Sequence, residues 1–128
     1  MKEIPVKTNK RCEFVDITRQ VAQAVKESGT DSGIACVFVP HTTAGVTVNE
    51  NADPDVKRDL LFALERTVPN AGFIHMEGNS DAHTKALMTG ASLSVIVENG
   101  TLCLGTWQSI YFCEYDGPRS RRVFVKVI

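Results

Sequence analysis

The chain has 128 residues with a formal net charge of −1, from 14 basic and 15 acidic side chains, and 43% of its residues are hydrophobic. This length and composition are typical of one globular domain, so we expect residues 1–128 to fold as a single domain. The balanced charge argues against nucleic acid or an anionic membrane as a partner, because binders of either carry a basic excess.

The four cysteines, Cys12, Cys36, Cys103 and Cys113, form no C-x-x-C pair, and three of them lie in apolar, strand-like runs. We therefore expect buried free thiols rather than a zinc knuckle or a redox pair. The N-terminal segment lacks the apolar core of a signal peptide, and no apolar stretch reaches about 18 residues. These features favour a cytoplasmic protein in a reducing compartment.

The first part of the chain predicts two strands and a helix. Residues 4–8 and 12–17 are typical of a strand pair, with a turn at Asn9 between them. A helix follows, with Thr18 as its candidate N-cap and Gly29 as its stop signal.

The middle of the chain carries stronger local signals. Residues 33–40, GIACVFVP, are nearly all apolar and β-branched or aromatic, which predicts a strand buried on both faces. Residues 46–48 predict a short strand after the polar break HTTAG. Asp53 is a good N-cap, Pro54 stands at the first helical position, and the apolar side chains that follow keep helical spacing. A third helix is predicted over residues 81–88.

The last part of the chain predicts strands only. Asn99-Gly100 is a strong hairpin signal between two aliphatic runs. A second hairpin is predicted between residues 110–115 and 121–128, across an Asp-Gly-Pro turn. Together with the helices, these strands predict an α+β fold, a large and mostly antiparallel sheet or sandwich with two to three helices packed on it.

Polar side chains are concentrated in two segments that together hold all three histidines. In the first segment, His41, Thr42 and Thr43 follow directly on the apolar strand, where a rigid core would hold them in place. Glu50 and Asn51 then precede the second helix, whose N-terminal N–H groups point outward.

The second segment, HMEGNSDAH, places Glu77, Asn79 and Asp81 between His75 and His83. Its carboxylates suit acid–base chemistry, or hydrogen bonds that hold the imidazoles in position. The segment therefore predicts a loop that carries candidate catalytic side chains and leads into the third helix.

Three histidines suit a divalent metal such as zinc, with one coordination position left open for water or substrate. The spacing is not H-E-x-x-H, so a metal site would have to be assembled from distant segments. The residues alone leave an alternative equally open, in which His41 caps a strand and the other two histidines bond to nearby carboxylates.

Two later motifs offer groups for a ligand. Trp107 and Gln108 follow a glycine, and this tryptophan either packs in the core, which is the commoner case, or stacks on a flat heterocycle. Arg119 and Arg121 follow the Asp-Gly-Pro turn, where arginines are either solvated or available to bind phosphate.

Four motifs together resemble one protein family. HTTAGVTVNENADPDV, HMEGNSDAH, SLSVIVENGTLCLGTWQSIYF and EYDGPRSRRV occur here in the order and spacing of the YjbQ-like proteins. The resemblance covers the chain from Val6 to its C-terminus, and it is most specific between Ser92 and Ile110.

The resemblance implies an α+β fold assembled as a homotrimer, with a metal site carried by His41, His75 and His83. Members of this family are described as secondary thiamine-phosphate synthases. That reaction joins hydroxymethylpyrimidine diphosphate to thiazole phosphate and releases diphosphate.

Such a reaction needs a neutralised diphosphate and a flat slot for the pyrimidine. We therefore expect a small phosphorylated metabolite as the ligand and a divalent metal, zinc above all, as the cofactor. The expected catalytic residues are Glu50, Glu77, Asn79, Asp81 and Gln108. The expected substrate-binding residues are Thr42, Thr43, Asn51, Trp107, Arg119 and Arg121.

Two other functions fit the same residues. A metal-dependent hydrolase of a small phosphorylated or acyl substrate would use a metal-bound water, with Glu77 as its general base. A non-enzymatic trimer would instead use the pocket to bind and hold a metabolite.

Overall fold

The computed structural model describes all residues, Met1–Ile128, and confirms the predicted α+β class with three helices. Eleven elements follow one another along the chain. They are β1 (Lys2–Lys7), β2 (Glu13–Asp16), α1 (Thr18–Ser28), β3 (Gly33–Phe38), β4 (Ala44–Glu50), α2 (Pro54–Thr67), α3 (Ser80–Thr89), β5 (Ser92–Glu98), β6 (Thr101–Leu102), β7 (Gln108–Glu114) and β8 (Ser120–Val127).

The strands form two sheets in which every neighbouring pair is antiparallel. Sheet A has the order β1-β8-β3-β5-β6, and sheet B has the order β2-β7-β4. The main core lies between them, where Val37 and Val125 of sheet A meet Val46 and Phe112 of sheet B, and α1 adds Val21. The two sheets are therefore held together by the apolar side chains of their inner faces.

The second face of sheet B packs against helices. Tyr111 and Cys113 of β7, with Tyr115 just after it, point away from sheet A and contact Ala82 and Ala86 of α3 in a second apolar cluster. Half-buried leucines of α2 pack against the same cluster. The layers are thus sheet A, sheet B and the helices α2 and α3.

The prediction that residues 33–40 are buried on both faces is wrong. Along β3, the buried Ala35 and Val37 alternate with Ile34 and Phe38, each of which is 44% exposed. The reason is that no element of the chain covers the outer face of sheet A. The apolar side chains on that face are left in contact with solvent.

Two of the three predicted strand pairings are also wrong. β1 pairs with β8 and β2 pairs with β7, so the turn after β1 carries the chain from one sheet to the other. β7 and β8 likewise lie in different sheets. The Asn99-Gly100 hairpin is confirmed, since β5 pairs with β6 and these residues have φ angles of 53° and 70°.

The start of α2 follows its sequence signal, whereas the start of α1 differs by one residue. Asp53 caps α2 by accepting a hydrogen bond from Asp55 N at 2.9 Å, as predicted. In α1, Thr18 is the first helical residue rather than the cap, and its hydroxyl accepts from Ile110 N at 2.8 Å. The longest helix, α2, has 14 residues, and none of the three helices combines the length and the apolarity needed to cross a membrane.

Gly45 allows α3 to lie directly on β4. A Cβ atom at this position would stand 2.7 Å from the carbonyl oxygen of Gly90 and 3.0 Å from the Thr89 Cβ. Val46 N also donates to Gly90 O at 3.1 Å, so the C-terminus of α3 is anchored to the strand backbone. Any side chain at Gly45 would push the helix away from the sheet.

We expect Gly45→Ala to lower the free energy of unfolding by about 1–3 kcal/mol, because overpacking at a close backbone contact is relieved only by moving α3. Urea denaturation measures this change. Ser94→Ala, on the exposed face of β5, is the control and should change stability by less than about 0.5 kcal/mol. Equal stability of the two variants would show that α3 does not depend on this contact.

Candidate functional site

A cavity of about 510 Å³ opens at the end of the sandwich where β4 begins and β7 ends. Apart from Pro40, every residue that lines it carries a polar or charged side chain, and all three histidines are among them. Nine of the fourteen site residues expected from the sequence line this cavity. They are His41, Thr42, Thr43, His75, Glu77, Asn79, His83, Arg119 and Arg121.

Three connections, one helix and one strand bring these residues together. The β3–β4 connection supplies residues 40–43, the α2–α3 connection supplies His75 and Glu77, and the start of α3 supplies His83. The β7–β8 turn and the beginning of β8 supply the two arginines. Segments that are far apart in the sequence therefore form one polar pocket.

The base of the pocket contains a buried ion pair between Glu114 of β7 and Arg121 of β8. Arg121 donates from Nε to Glu114 Oε1 at 2.8 Å and from Nη2 to Glu114 Oε2, and Nη2 also donates to Thr43 Oγ1 at 2.8 Å. Thr8, just after β1, donates its hydroxyl to Glu114 Oε1 at 2.8 Å. Glu114 is fully buried, and the Arg121 side chain is 6% exposed. The pair ties both sheets to the β3–β4 connection.

The ion pair also determines the charge of its two members. Burial alone would raise the pKa of Glu114, but hydrogen bonds from Arg121 and Thr8 outweigh it and hold this pKa below its usual range. Glu114 is therefore ionised at neutral pH and neutralises Arg121. A ligand in the pocket meets an arginine whose charge is already paired.

A second ion pair lies at the rim of the pocket. Arg119 donates to Asp116 Oδ2 at 3.0 Å, and Asn79 Nδ2 donates to the same oxygen at 3.0 Å. Burial acts to raise the pKa of Asp116, but these two hydrogen bonds lower it overall. Asn79 Oδ1 is buried and has no hydrogen-bond partner. The Arg119 side chain is 52% exposed and is the more accessible of the two cations.

The histidines provide a pair of possible metal ligands rather than a finished three-histidine centre. The ring centroids of His75 and His83 lie 5.9 Å apart, a spacing that suits two imidazoles on one zinc ion with Zn–N bonds of about 2.1 Å. No three His, Cys, Asp or Glu side chains stand together as a group that could hold a metal ion. His75 and His83 therefore supply two neighbouring imidazoles, which is fewer than the three protein ligands of a catalytic zinc site.

His41 stands in a different environment from the other two histidines. Its Nε2 accepts a hydrogen bond from the backbone N–H of Arg122 at 3.1 Å. Burial lowers the pKa of His41, and the positive charge of Arg121 lowers it further. The imidazole is therefore held in its neutral form at neutral pH.

Asp81 lies outside the pocket, in the first turn of α3. Arg11 donates to both of its carboxylate oxygens at 3.0 Å, and Lys85 Nζ lies 3.6 Å from Oδ2. Burial would raise the pKa of Asp81, but the bonds from Arg11 lower it. This placement supports a role in anchoring α3, and a catalytic role for Asp81 stays a prediction.

The remaining four expected residues, Glu50, Asn51, Trp107 and Gln108, lie at the opposite end of sheet B. β4 runs six residue steps from Ala44 to Glu50, which separates its ends by about 20 Å. Trp107 is 63% exposed, and its carbonyl accepts from Asn51 N at 2.9 Å. Within one chain, these four residues form a patch that is separate from the histidine pocket.

Two site residues were missed by sequence reasoning. Asp116 lines the pocket and receives bonds from Asn79 and Arg119, and its sequence signal was its place beside an arginine in a glycine-proline turn. Glu114 sits in the run IYFCEY, where every neighbour is buried. A carboxylate in such a strand requires a buried cation, and this is the signal that could have found the pair.

Comparison with known proteins identifies the family. The model of the UPF0047 protein YjbQ-like family matches residues 2–128. The chain belongs to this family. It is 53% identical to the UPF0047 protein YugU of Bacillus subtilis, over 100% of this chain and 98% of that protein. It is also 53% identical to a UPF0047 protein of Methanocaldococcus jannaschii, over 96% of this chain and 90% of that protein.

Solved structures of relatives share the fold. A YjbQ/UPF0047 family protein of Clostridium acetobutylicum, 56% identical, superposes with a TM-score of 0.98 and covers 100% of both chains. A conserved hypothetical protein of Thermus thermophilus, 43% identical, has a TM-score of 0.93 and again covers 100% of both chains. These relatives show the family and the fold, and the reaction is proposed below from the site.

We expect Glu114→Gln to lower the free energy of unfolding by about 3–5 kcal/mol at pH 7, because it leaves Arg121 buried without a counter-charge. The pKa of Glu114 in the folded protein lies below the unfolded value of about 4.3, so its contribution is present above that pH. The difference between variant and wild type should therefore shrink as the pH falls through the folded pKa. Urea denaturation at pH 7 and at about pH 3.5 measures both effects.

The control for this prediction is Glu3→Gln, which removes an exposed ion pair with Arg122. Exposed pairs contribute about 0–1 kcal/mol, so this variant should remain close to the wild type. Equal stability of the two variants at pH 7 would show that the ion pair between Glu114 and Arg121 does not stabilise the fold more than an exposed pair does.

Proposed function

We propose that the pocket binds a small phosphorylated metabolite and that chemistry takes place at the phosphate-bearing carbon. The observation that carries this proposal is the convergence of three imidazoles, an exposed arginine and Glu77 on one cavity without apolar walls. Polar donors on a rigid scaffold suit a compact anion better than an apolar ligand.

The reaction we propose is that of a secondary thiamine-phosphate synthase. The C–O bond between the pyrimidine methylene and diphosphate breaks, diphosphate leaves with the bonding pair, and the thiazole nitrogen forms a new C–N bond to the methylene carbon. The chain has to hold the leaving diphosphate and orient the two substrates, and no covalent nucleophile is needed. We assign the contact with the leaving group to Arg119, because it is the more exposed arginine of the pocket.

We further propose a divalent metal, zinc above all, held by His75 and His83. When bound, such an ion supplies positive charge to phosphate oxygens. The charges of the side chains around the pocket also favour an added cation. The two arginines, Arg119 and Arg121, are outnumbered by three carboxylates, those of Glu77, Asp116 and the buried Glu114. The formal charge of these five side chains is therefore −1, without the histidines.

A second candidate function is hydrolysis of a small phosphoester with the same metal. The observation that favours it is the lack of any flat apolar wall in the pocket, because Trp107 lies at the other end of sheet B. A hydrolase needs no slot for a heterocycle, and Glu77 would take a proton from the attacking water. A transferase would need Trp107 from another copy of the chain.

We also propose that the protein is a homotrimer, as its resemblance to the family implies. The apolar outer face of sheet A supports this proposal, because contact with other copies of the chain would bury it. Ile34 faces Ile96 across β3 and β5, and Phe38 stacks on Phe124 with ring centroids 6.4 Å apart. Ile96 is 61% exposed, so this apolar strip is open in the single chain. Strips of this kind are typical of interfaces.

The two reactions are separated by the products that the purified, zinc-loaded protein forms. With both thiamine-phosphate precursors, a transferase yields thiamine phosphate and an equal amount of diphosphate. We expect His75→Ala and Glu77→Gln to reduce this turnover at least about 100-fold, because each removes a group at the reacting site. Product formation is measured by chromatography.

The control is Glu98→Gln, an exposed carboxylate outside the pocket, which should keep wild-type turnover. Phosphate release from single phosphoesters, without thiamine phosphate, would establish the hydrolase instead. Metabolite binding without any turnover would overturn both reactions and leave a binding protein. Unchanged turnover in both pocket variants would overturn the site.

The assembly is tested by sedimentation. We expect the wild type to sediment with the mass of three chains, and Ile96→Glu to dissociate it, because a charge on the apolar strip cannot be buried without a partner. Gln20→Glu, on the exposed face of α1, is the matched control and should leave the trimer intact. A variant Ile96→Glu that remained trimeric would exclude this face as the interface.

A further inference from the structure

The hydrogen bond on His41 fixes which of its nitrogens carries the proton. A backbone N–H is always a donor, so the Nε2 that accepts from Arg122 N must be unprotonated, with its lone pair engaged. In a neutral imidazole the proton is then on Nδ1. A 180° flip of the ring would place a carbon against Arg122 N and lose this bond.

The strand geometry explains why the imidazole occupies this position. β3 pairs with β8 only as far as Phe38 opposite Phe124, and then leaves the ladder through Pro40. Arg122 N lies beyond the last pair and has no carbonyl of β3 to bond to. His41 Nε2 takes the place of the missing carbonyl, so the side chain extends the ladder by one hydrogen bond.

The two ring nitrogens of His41 are used differently from those of a histidine that binds a metal. A ligating imidazole gives the lone pair of one nitrogen to the ion and donates a proton from the other. In His41, one nitrogen accepts a hydrogen bond and the other carries the proton, so neither lone pair is free. Ligation by His41 would require breaking the bond to Arg122 or removing the Nδ1 proton.

The Nδ1–H group is the part of His41 that remains available. It makes no hydrogen bond within the protein, although the ring lines the pocket together with His75 and His83. A donor without a partner, in a pocket with an exposed arginine, suits an anionic oxygen of a ligand. The ring is held by its own backbone bond, so the donor is positioned before a ligand binds.

We infer that His41 binds the ligand by donating its Nδ1–H to a phosphate oxygen, and that His41 is not a ligand of a metal ion in this pocket. The donor role rests on the proposed function in that the ligand is a phosphorylated anion, and the comparison with metal binding rests on the metal proposed at His75 and His83. The role of His41 is thereby distinct from that of the other two histidines of the pocket.

Two substitutions at position 41 separate the roles. The side-chain amide of His41→Asn places an N–H near the position of Nδ1, whereas His41→Gln carries its amide near the position of Nε2 and leaves Nδ1 without a substitute. The probes are Co²⁺ and Zn²⁺ for the metal, and inorganic phosphate and pyrophosphate for the anion. Calorimetry on the full chain measures all affinities, and thermal unfolding checks that each variant is folded.

We expect both variants at position 41 to bind Co²⁺ and Zn²⁺ within about threefold of the wild type. His75→Ala and His83→Ala should weaken metal binding by about 100-fold or more. Phosphate and pyrophosphate should bind about tenfold more weakly to His41→Gln, the loss typical of one hydrogen bond to a charged group, and within about threefold to His41→Asn.

Nitrogen NMR of histidine-labelled protein adds a readout that does not depend on affinity. Nδ1 of His41 should show the shift of a protonated nitrogen and Nε2 that of an unprotonated one. Phosphate should move the Nδ1–H resonance of His41, and Zn²⁺ should move the nitrogen resonances of His75 and His83 directly.

The results that would overturn the inference are distinct from those that would overturn the proposed function. A loss of metal affinity in His41→Asn as large as in His75→Ala would make His41 a ligand of the ion. Equal phosphate binding by His41→Gln and wild type would remove the donor role and leave the proposed function standing. A wild type that binds neither phosphate nor pyrophosphate would overturn the proposed function and the donor role together.

Discussion

The buried ion pair between Glu114 and Arg121 stands where the two sheets and the pocket meet. Glu114 also accepts from Thr8 and from two backbone N–H groups at the β7–β8 turn, so its carboxylate is fully satisfied. Arg121 in turn donates to Thr43, at the end of the polar connection that contains His41. An uncompensated charge at this depth would be costly, so the sheets, the turn and the connection are stabilised as one unit.

The same pair decides what the pocket offers to a ligand. Because Glu114 neutralises Arg121, the accessible positive charge is that of Arg119, which is itself paired with Asp116. The remaining donors are neutral groups such as the Nδ1–H of His41. An anionic ligand therefore depends on positioned hydrogen bonds and on any metal held by His75 and His83, more than on free cationic side chains.

The distribution of polar residues over sheet B has a second consequence. The histidines gather where β4 begins, and Trp107 with its neighbours lies where β4 ends, about 20 Å away. One chain cannot apply both sets of groups to one small ligand. The choice between the two proposed reactions is thus linked to the assembly, since only another copy of the chain could bring Trp107 to a pocket.

Local signals in the sequence predicted the elements that local chemistry determines. The cap at Asp53, the proline after it and the Asn99-Gly100 turn were recognised because each depends on residues within a few positions of itself. The two incorrect pairings had equally good turn signals. In both, the chain passes from one sheet of the sandwich to the other. A turn between two sheets uses the same residue types as a hairpin turn within one sheet, so the turn residues do not distinguish them.

The sequence by itself determined the fold class, the family and the two polar segments that hold the histidines. Only the tertiary structure decided that nine expected residues share a pocket, and that Trp107 lies elsewhere. Only the tertiary structure showed that His41 Nε2 bonds to Arg122, 81 positions further along the chain. The physical reason is that residue type and spacing specify local hydrogen bonds, whereas the proton on an imidazole is placed by whichever distant backbone group faces it.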